Sequence, residues 1–203
     1  MFKCWKNKPN RNVNIFILFF IFLFFIFSFL SGKSSTKNVS TMGVPNYFST
    51  YKLSDGSLVH TQIMDTAGEE KFRALTTGYY KKADCCLLVY DITSKNSFEE
   101  CKEYFNDKIK ENCKKNIQVI LLGNKSDLEE SREVPSEEGA KFCLENNYIF
   151  METSCLKNTN VSDAFETLIE LTHIEAMKNK PKIEKNLRVS KKKQIKKKNN
   201  FFC

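Results

Sequence analysis

The chain has 203 residues, enough for one domain of ordinary size with tails. Its net charge of +8 sits at its ends: residues 1–33 carry five basic side chains and no acid, and residues 178–203 carry eleven against Glu184, while residues 34–177 hold 16 basic and 23 acidic groups. An acidic body excludes a nucleic-acid-binding domain and leaves the positive charge to ends with their own task.

The basic residues Lys3, Lys6, Lys8 and Arg11 lie in residues 1–14, before the apolar segment Ile15 to Leu30, whose one polar member is Ser28. Three readings of residues 15–30 stay open. Near the length of about 17–25 residues that spans a bilayer, the segment resembles a membrane anchor or signal peptide, although no small-x-small cleavage site follows. Its eight Phe, four Ile and three Leu, without Val, Ala or Gly, also suit translated non-coding sequence of an A+T-rich gene. The third reading is a buried strand. Beyond it, Gly32-Lys33-Ser34 has the look of the second half of a phosphate-binding loop, and Thr41 follows seven positions after Ser34.

From residue 40 onward, strand-like and helix-like segments alternate, the pattern of an α/β domain with a mainly parallel sheet. Tyr47 to Leu53 and Ser57 to Met64 flank a hairpin-like "SDGS". The runs "CCLLVYDI" (85–92) and "IQVILLG" (117–123) are short apolar runs bounded by polar residues, as expected of buried central strands. "YIFMET" (148–153) is a weaker third. Ser97 with Glu100 forms a capping-box pattern, Ser136 is placed to cap "EEGAKFCLEN", and Val161 to Met177 keeps apolar residues at helical spacing. From residue 178 the tail has no apolar periodicity and is expected to be disordered.

Three motifs follow strands. Asn124-Lys125-Ser126-Asp127 comes after "VILLG", where ligands bind in open parallel sheets. There the Asp127 carboxylate can accept two hydrogen bonds from the N1–H and exocyclic amine of guanine; adenine offers the wrong pattern. Lys125 can lay its stem over the base, and Asn124 can tether neighbouring loops. Asp65-Thr66-Ala67-Gly68-Glu69-Glu70 follows "LVHTQIM"; its Asp can hold Mg2+ through water, and Gly68 lets a backbone N–H approach a terminal phosphate. Glu152-Thr153-Ser154-Cys155-Leu156 ends the last strand, where backbone N–H groups can reach the guanine carbonyl. Eight cysteines form no C-x-x-C pair and no ligand spacing with the histidines; free thiols in a reducing compartment are expected, with Cys85-Cys86 packed in the core.

In this order the motifs resemble the Rab branch of the Ras superfamily of small GTPases. "DTAGEEKFRALTTGYYKKADCCLLVYDIT", "LLGNKSDL" and "ETSCLKNTNVSDAFETL" carry the likeness, which runs from about Thr41 to Leu171. It implies a P-loop NTPase-like G domain over residues 31–177, here expected to lack the usual first strand and first helix. It also implies a GTP/GDP switch in vesicle trafficking. The nucleotide would be bound by Gly32, Lys33, Ser34, Ser35, Thr41, Asp65, Gly68, Asn124, Lys125, Asp127, Leu128, Ser154, Cys155 and Leu156. Ser34, Thr41 and Asp65 would hold Mg2+. Exchange factors, GTPase-activating proteins and effectors would be its protein partners, with no nucleic acid.

The sequence departs from that pattern in places that matter. Residue 27, where the phosphate loop has its first glycine, is Phe27, and the seven residues from Ser34 to Thr41 cannot contain the family's helix. Glu69 stands where the family has the glutamine that orients the attacking water. Asn46 and Met64 replace aromatic residues that Rabs present to effectors beside Tyr79 or Tyr80. These changes raise an alternative, a nucleotide-impaired interaction module. The tail suits the Rab plan: a prenylated Cys203 with lysines 191–193 and 196–198 would anchor the chain to the cytoplasmic face of endomembranes. The other possibility, membrane insertion through residues 15–30, would expose Asn124-Lys-Ser to glycosylation and block the guanine pocket.

Overall fold

A computed structural model describes residues 11–18, 35–39, 45–65 and 77–178. Two units divide the chain, Met1–Thr172 and His173–Cys203. In the second, residues 173–178 are described; they end the last helix, with Lys178 Nζ 3.4 Å from Glu175.

The first unit is built on a seven-stranded sheet of order β2-β3-β4-β1-β5-β6-β7. The strands are β1 (Arg11–Leu18), β2 (Ser35–Val39), β3 (Pro45–Lys52), β4 (Leu58–Asp65), β5 (Cys85–Asp91), β6 (Gln118–Asn124) and β7 (Ile149–Thr153). Antiparallel pairing joins β2 to β3 and β3 to β4; every pair from β4 through β1 and β5 to β7 is parallel. The β3–β4 turn is fixed locally: the Asp55 carboxylate accepts from the Ser57 N–H (2.7 Å) and hydroxyl (2.8 Å), and Gly56 takes φ 80°.

Helices α1 (Thr77–Lys82), α2 (Lys95–Glu100), α3 (Asn106–Asn112), α4 (Ser136–Asn146) and the part of α5 (Val161–Lys178) that lies in this unit cover the sheet, with a π-helical stretch, Cys101–Phe105, between α2 and α3. Because successive strand residues face opposite sides, β5 supplies both cores. Cys85, Leu87 and Val89 pack with Val13, Ile15, Ile120 and Leu122 against Val161, Phe165 and Leu168 of α5. Cys86, Leu88 and Tyr90 pack with Val119 and Leu121 against Tyr80, Phe98, Ile109 and Phe142. A strand buried on both faces reads as an unbroken apolar run, which is why "CCLLVYD" shows no alternation.

The expected absence of the first strand is corrected. Arg11–Leu18 lies between β4 and β5, with Ile15 opposite both Ile63 and Cys85. Val13 and Ile15 are buried, Asn12 is exposed, and Asn14 is clasped to Asp84. The Asn14 N–H donates to Asp84 Oδ2 (2.9 Å), and the Asp84 N–H returns to the Asn14 carbonyl (2.9 Å). This polar–apolar alternation, just upstream of the phenylalanines, is the strand signal. The strand crosses the boundary placed at residues 14/15 and takes Ile15–Leu18 into the sheet. That leaves residues 19–30, too few for the roughly 20 apolar residues of a spanning helix. Among the described residues no helix is long and apolar enough to cross a membrane. The expected lack of the first helix concerns residues 19–34, outside the described residues.

Two expected caps also move. Ser94, not Ser97, caps α2, its hydroxyl accepting from the Ser97 N–H at 3.4 Å; the Ser97 hydroxyl instead accepts from the Asp91 N–H (3.0 Å). Ser136 is the first residue of α4 rather than its cap, and its hydroxyl donates to Glu152 Oε1 at 2.5 Å. In both cases a tertiary partner at a strand end takes the hydroxyl that local capping would have used.

Candidate functional site

The parallel strands all end at one edge of the sheet. Asp91, Asn124 and Thr153, the last residues of β5, β6 and β7, stand in one row, since Asp91 pairs with Asn124 and Asn124 with Thr153. Asp65, the last residue of β4, pairs with Ile17, which pairs with Leu87, so Asp65 stands on a row four residues earlier along β5. At about 3.3 Å per residue, the two rows are offset by roughly 13 Å along the strands. The sequence-derived motifs after "LVHTQIM" and "VILLG" thus share an edge but not a level.

Asn124 is buried and its Oδ1 accepts from the Thr153 hydroxyl (3.2 Å) and the Cys155 thiol (3.3 Å). It therefore ties β6 to the segment that follows β7. The Ser126 N–H adds a bond to the Thr153 carbonyl (3.0 Å). Asp127 accepts a hydrogen bond from the Ser154 hydroxyl, and the same hydroxyl accepts from the Lys157 N–H (3.0 Å). Ser154 and Thr159 exchange backbone bonds of 3.1 and 2.9 Å, closing the loop beyond β7. Asn158 and Asn160 take left-handed backbone there, a conformation asparagine tolerates better than most residues.

Lys125 also adopts left-handed backbone, at φ 67°. Its ammonium lies 2.5 Å from Asp91 Oδ2, while Asp91 Oδ1 accepts from the Thr93 N–H (2.9 Å) and hydroxyl (2.7 Å). Burial opposes the charge on Asp91, but the bonds from Lys125 and Thr93 outweigh it and hold its pKa below the ordinary carboxylate value. Burial pushes the Cys155 thiol up to about 11, only partly offset by its bond to Asn124, so it is a neutral thiol near pH 7. Leu128 is exposed, and Leu156 more so at 76%.

A further layer lies behind this row. Arg132 Nη1 and Nη2 bind Glu152 Oε1 (2.7 Å) and Oε2 (3.0 Å), and Arg132 also grips Glu129 at 2.9 and 2.7 Å. Glu133 accepts from the Lys95 N–H (2.9 Å), and the Ile92 carbonyl receives the Glu133 and Val134 N–H groups. Asp91 and Arg132 were not singled out by sequence reasoning, and Ser136 only as a helix cap. The available signal for Asp91 was a lone acid ending an otherwise apolar strand. Of the other predicted residues, the Asp65 and Ser35 backbones lie in strands; Gly32, Lys33, Ser34, Thr41, Gly68, Glu69 and Cys203 lie outside the described residues. Among the described residues no cluster of His, Cys, Asp and Glu could hold a metal ion. Tyr80, one candidate for effector contact, is buried in the core.

A mainly parallel sheet ending in a row of polar residues, with these motifs in this order, has the build of a small-GTPase G domain. A sequence model of the Ras family matches residues 24–174, and the chain belongs to that family. Within the family it is similar to Rab and Ypt proteins. Ras-related protein Rab-11C of Dictyostelium discoideum is 41% identical over 152 residues, 74% of this chain and 66% of the relative. RABA1b of Arabidopsis thaliana is 40% identical over 156 residues (77% and 70%), and YPTC6 of Chlamydomonas reinhardtii 39% over 163 (76% and 74%). The chain thus spans about two thirds to three quarters of these relatives. The family match begins at residue 24, after β1 has ended.

Proposed function

We propose that the chain is a Rab-type guanine-nucleotide switch acting in vesicle trafficking. The observation that carries this is the linked pair of loops at the ends of β6 and β7: Asp127 held by Ser154, and Asn124 bridging Thr153 and Cys155. The donor set fits guanine. Asp127, with one oxygen held by Ser154, retains lone pairs for the N1–H and amine of the base. The Ser154 N–H is committed to Thr159, so the base carbonyl falls to the N–H groups of Cys155 and Leu156.

On this reading Lys33 would meet the β- and γ-phosphates, while Ser34, Thr41 and Asp65 would hold Mg2+, which would supply charge neutralisation at the phosphates. The Gly68 N–H reports the γ-phosphate, and its loss releases the segments around Thr41 and Gly68 from effectors. Glu69 slows hydrolysis, because its charge opposes the anionic phosphate where a neutral amide would orient water. Phe27 in place of the first loop glycine, and a β1 that ends fourteen positions before Gly32, weaken the phosphate half relative to the base half. A prenylated Cys203 and the lysine-rich tail place the chain on the cytoplasmic face of endomembranes, where exchange factors, activating proteins and effectors meet it.

Titration of the purified full chain with fluorescent guanine and adenine nucleotides, with and without Mg2+, tests the proposal. Guanine preference with affinity weaker than micromolar is expected. Equal binding of adenine nucleotides overturns the guanine reading, and sub-micromolar GTP binding overturns the weakened phosphate half. Cys203→Ser should disperse the protein from membranes; unchanged association would transfer anchoring to another segment.

A further inference from the structure

We propose that Asp91 is a positioning residue for base binding, acting through Lys125 by fixing the lysine stem across the row of strand ends before nucleotide arrives. This rests on the guanine reading above and assigns a role to a residue outside the base-recognition motifs.

Three observations converge. The Asp91 carboxylate is divided between two tasks: Oδ1 is held by the Thr93 N–H and hydroxyl, which leaves Oδ2 aimed at Lys125 Nζ 2.5 Å away. The Asp91 side chain is only 11% exposed, whereas that of Lys125 is 39% exposed, so the lysine is gripped at its tip while its side chain as a whole keeps solvent. Lys125 holds left-handed backbone at φ 67°, which a purely structural turn would give to glycine or asparagine. Its backbone is pinned as well, with the Leu128 N–H donating to its carbonyl (2.9 Å) and the Ser126 N–H to Thr153.

An ion pair whose lysine keeps solvent adds little by itself. Its effect here is preorganisation: a free lysine stem loses rotamer freedom when a base settles on it, and Asp91 removes that freedom beforehand. Asp91 in turn is fixed by the β5–α2 connection, because the Asp91 N–H donates to Ser97 and the Ile92 N–H donates to the Asn124 carbonyl (3.0 Å). The chain of constraint runs from the start of α2, through Asp91, to the face of the base.

The test is a double-mutant cycle on release of a fluorescent GDP from the full chain. Asp91→Asn keeps an acceptor for Thr93 and removes the charge that holds Lys125; Lys125→Met keeps an apolar stem and removes the ammonium. Asp91→Asn is expected to speed release about two- to tenfold, and to add nothing once Lys125 is Met. Independent, additive effects would overturn the positioning role. A second readout needs no nucleotide: mass-spectrometric labelling of Lys125 with an amine-acetylating reagent should rise in Asp91→Asn. Unchanged labelling overturns the pair itself. If the parent chain shows no guanine preference, the guanine reading fails and the positioning role with it, whatever the labelling shows.

Discussion

The Ser154 hydroxyl donates to the Asp127 carboxylate, joining the ends of β6 and β7 across twenty-seven residues of sequence. The link turns one carboxylate oxygen toward the protein and fixes the direction of the other. On the guanine reading proposed above, base preference depends on what that group can accept. Asp127→Asn exchanges an acceptor for a donor, which mismatches the guanine amine and matches the 2-oxo group of xanthine. Competition binding should show guanine affinity falling at least tenfold with a relative gain for xanthine nucleotides, one lost charge-assisted bond being worth about 1.5–3 kcal/mol. Unchanged guanine preference would remove Asp127 from base recognition.

Behind that link, Arg132 should be the costliest charge to remove. Its side chain is 14% exposed and binds Glu152 through two nitrogens. Arg132→Met leaves Glu152 with Ser136 as its hydrogen-bond donor, a loss of about 2 kcal/mol, below the range for fully buried pairs because both groups keep some solvent. Glu129→Ala, at an exposed partner of the same arginine, should stay within about 0.5 kcal/mol. Urea unfolding of the two variants checks the contrast, and equal losses would contradict it.

Tyr90 and Gly139 form a packing pair with opposite predictions. A Cβ at Gly139 would lie 2.5 Å from Phe150 Cε2 and 2.9 Å from the Tyr90 hydroxyl. Gly139→Ala gains about 1 kcal/mol of helix propensity but overpacks rings by about 1–3, so a net loss of up to about 2 kcal/mol is expected. The Tyr90 hydroxyl is buried without a hydrogen-bond partner among the described residues. Tyr90→Phe should therefore stabilise by about 1 kcal/mol, a rise in Tm of about 2–4 °C, and should soften the cost of Gly139→Ala. A Tm that falls in Tyr90→Phe would point to a partner for that hydroxyl.

Alkaline stability should fail through the thiols. Burial pushes Cys113 and Cys155 up to about 11, and Cys85 and Cys143 up to about 12, from an ordinary 9.0. The fold favours their protonated form, so this stabilisation is complete below pH 9, where the unfolded thiols are also protonated. It is lost as pH climbs through the folded values. Thermal melts from pH 7 to 11 should be level to about pH 9 and then decline, and Cys→Ser at Cys155 should shallow that decline. A level Tm to pH 11 would contradict the burial.

What could be read in the sequence was what depends on local pattern. The strands β3 to β7 stand within a residue or two of their apolar runs, and the base-recognition motifs sit at strand ends, because buried strands announce themselves by composition. What depends on tertiary choice was hidden. Ser97 and Ser136 looked like caps because local spacing cannot show that Asp91 and Glu152 compete for their hydroxyls. β1 was obscured because the phenylalanines that follow outweigh the short alternation Asn12-Val13-Asn14-Ile15 in any hydrophobic reading. Lys125 and Asp91 lie 34 positions apart and meet only because β5 and β6 are neighbours in register.

The position of β1 has a consequence for how this protein can be divided. The segment that matches the Ras family begins at residue 24, yet the middle of the sheet comes from residues 11–18. Trimming the chain to its family segment would remove the keystone and leave β4 and β5 facing each other across a slot two strand spacings wide, about 9.5 Å. Two unpaired inner edges would then be open to any passing strand, including another copy's. The recognisable domain and the foldable domain are different stretches of this chain, and the foldable one starts earlier.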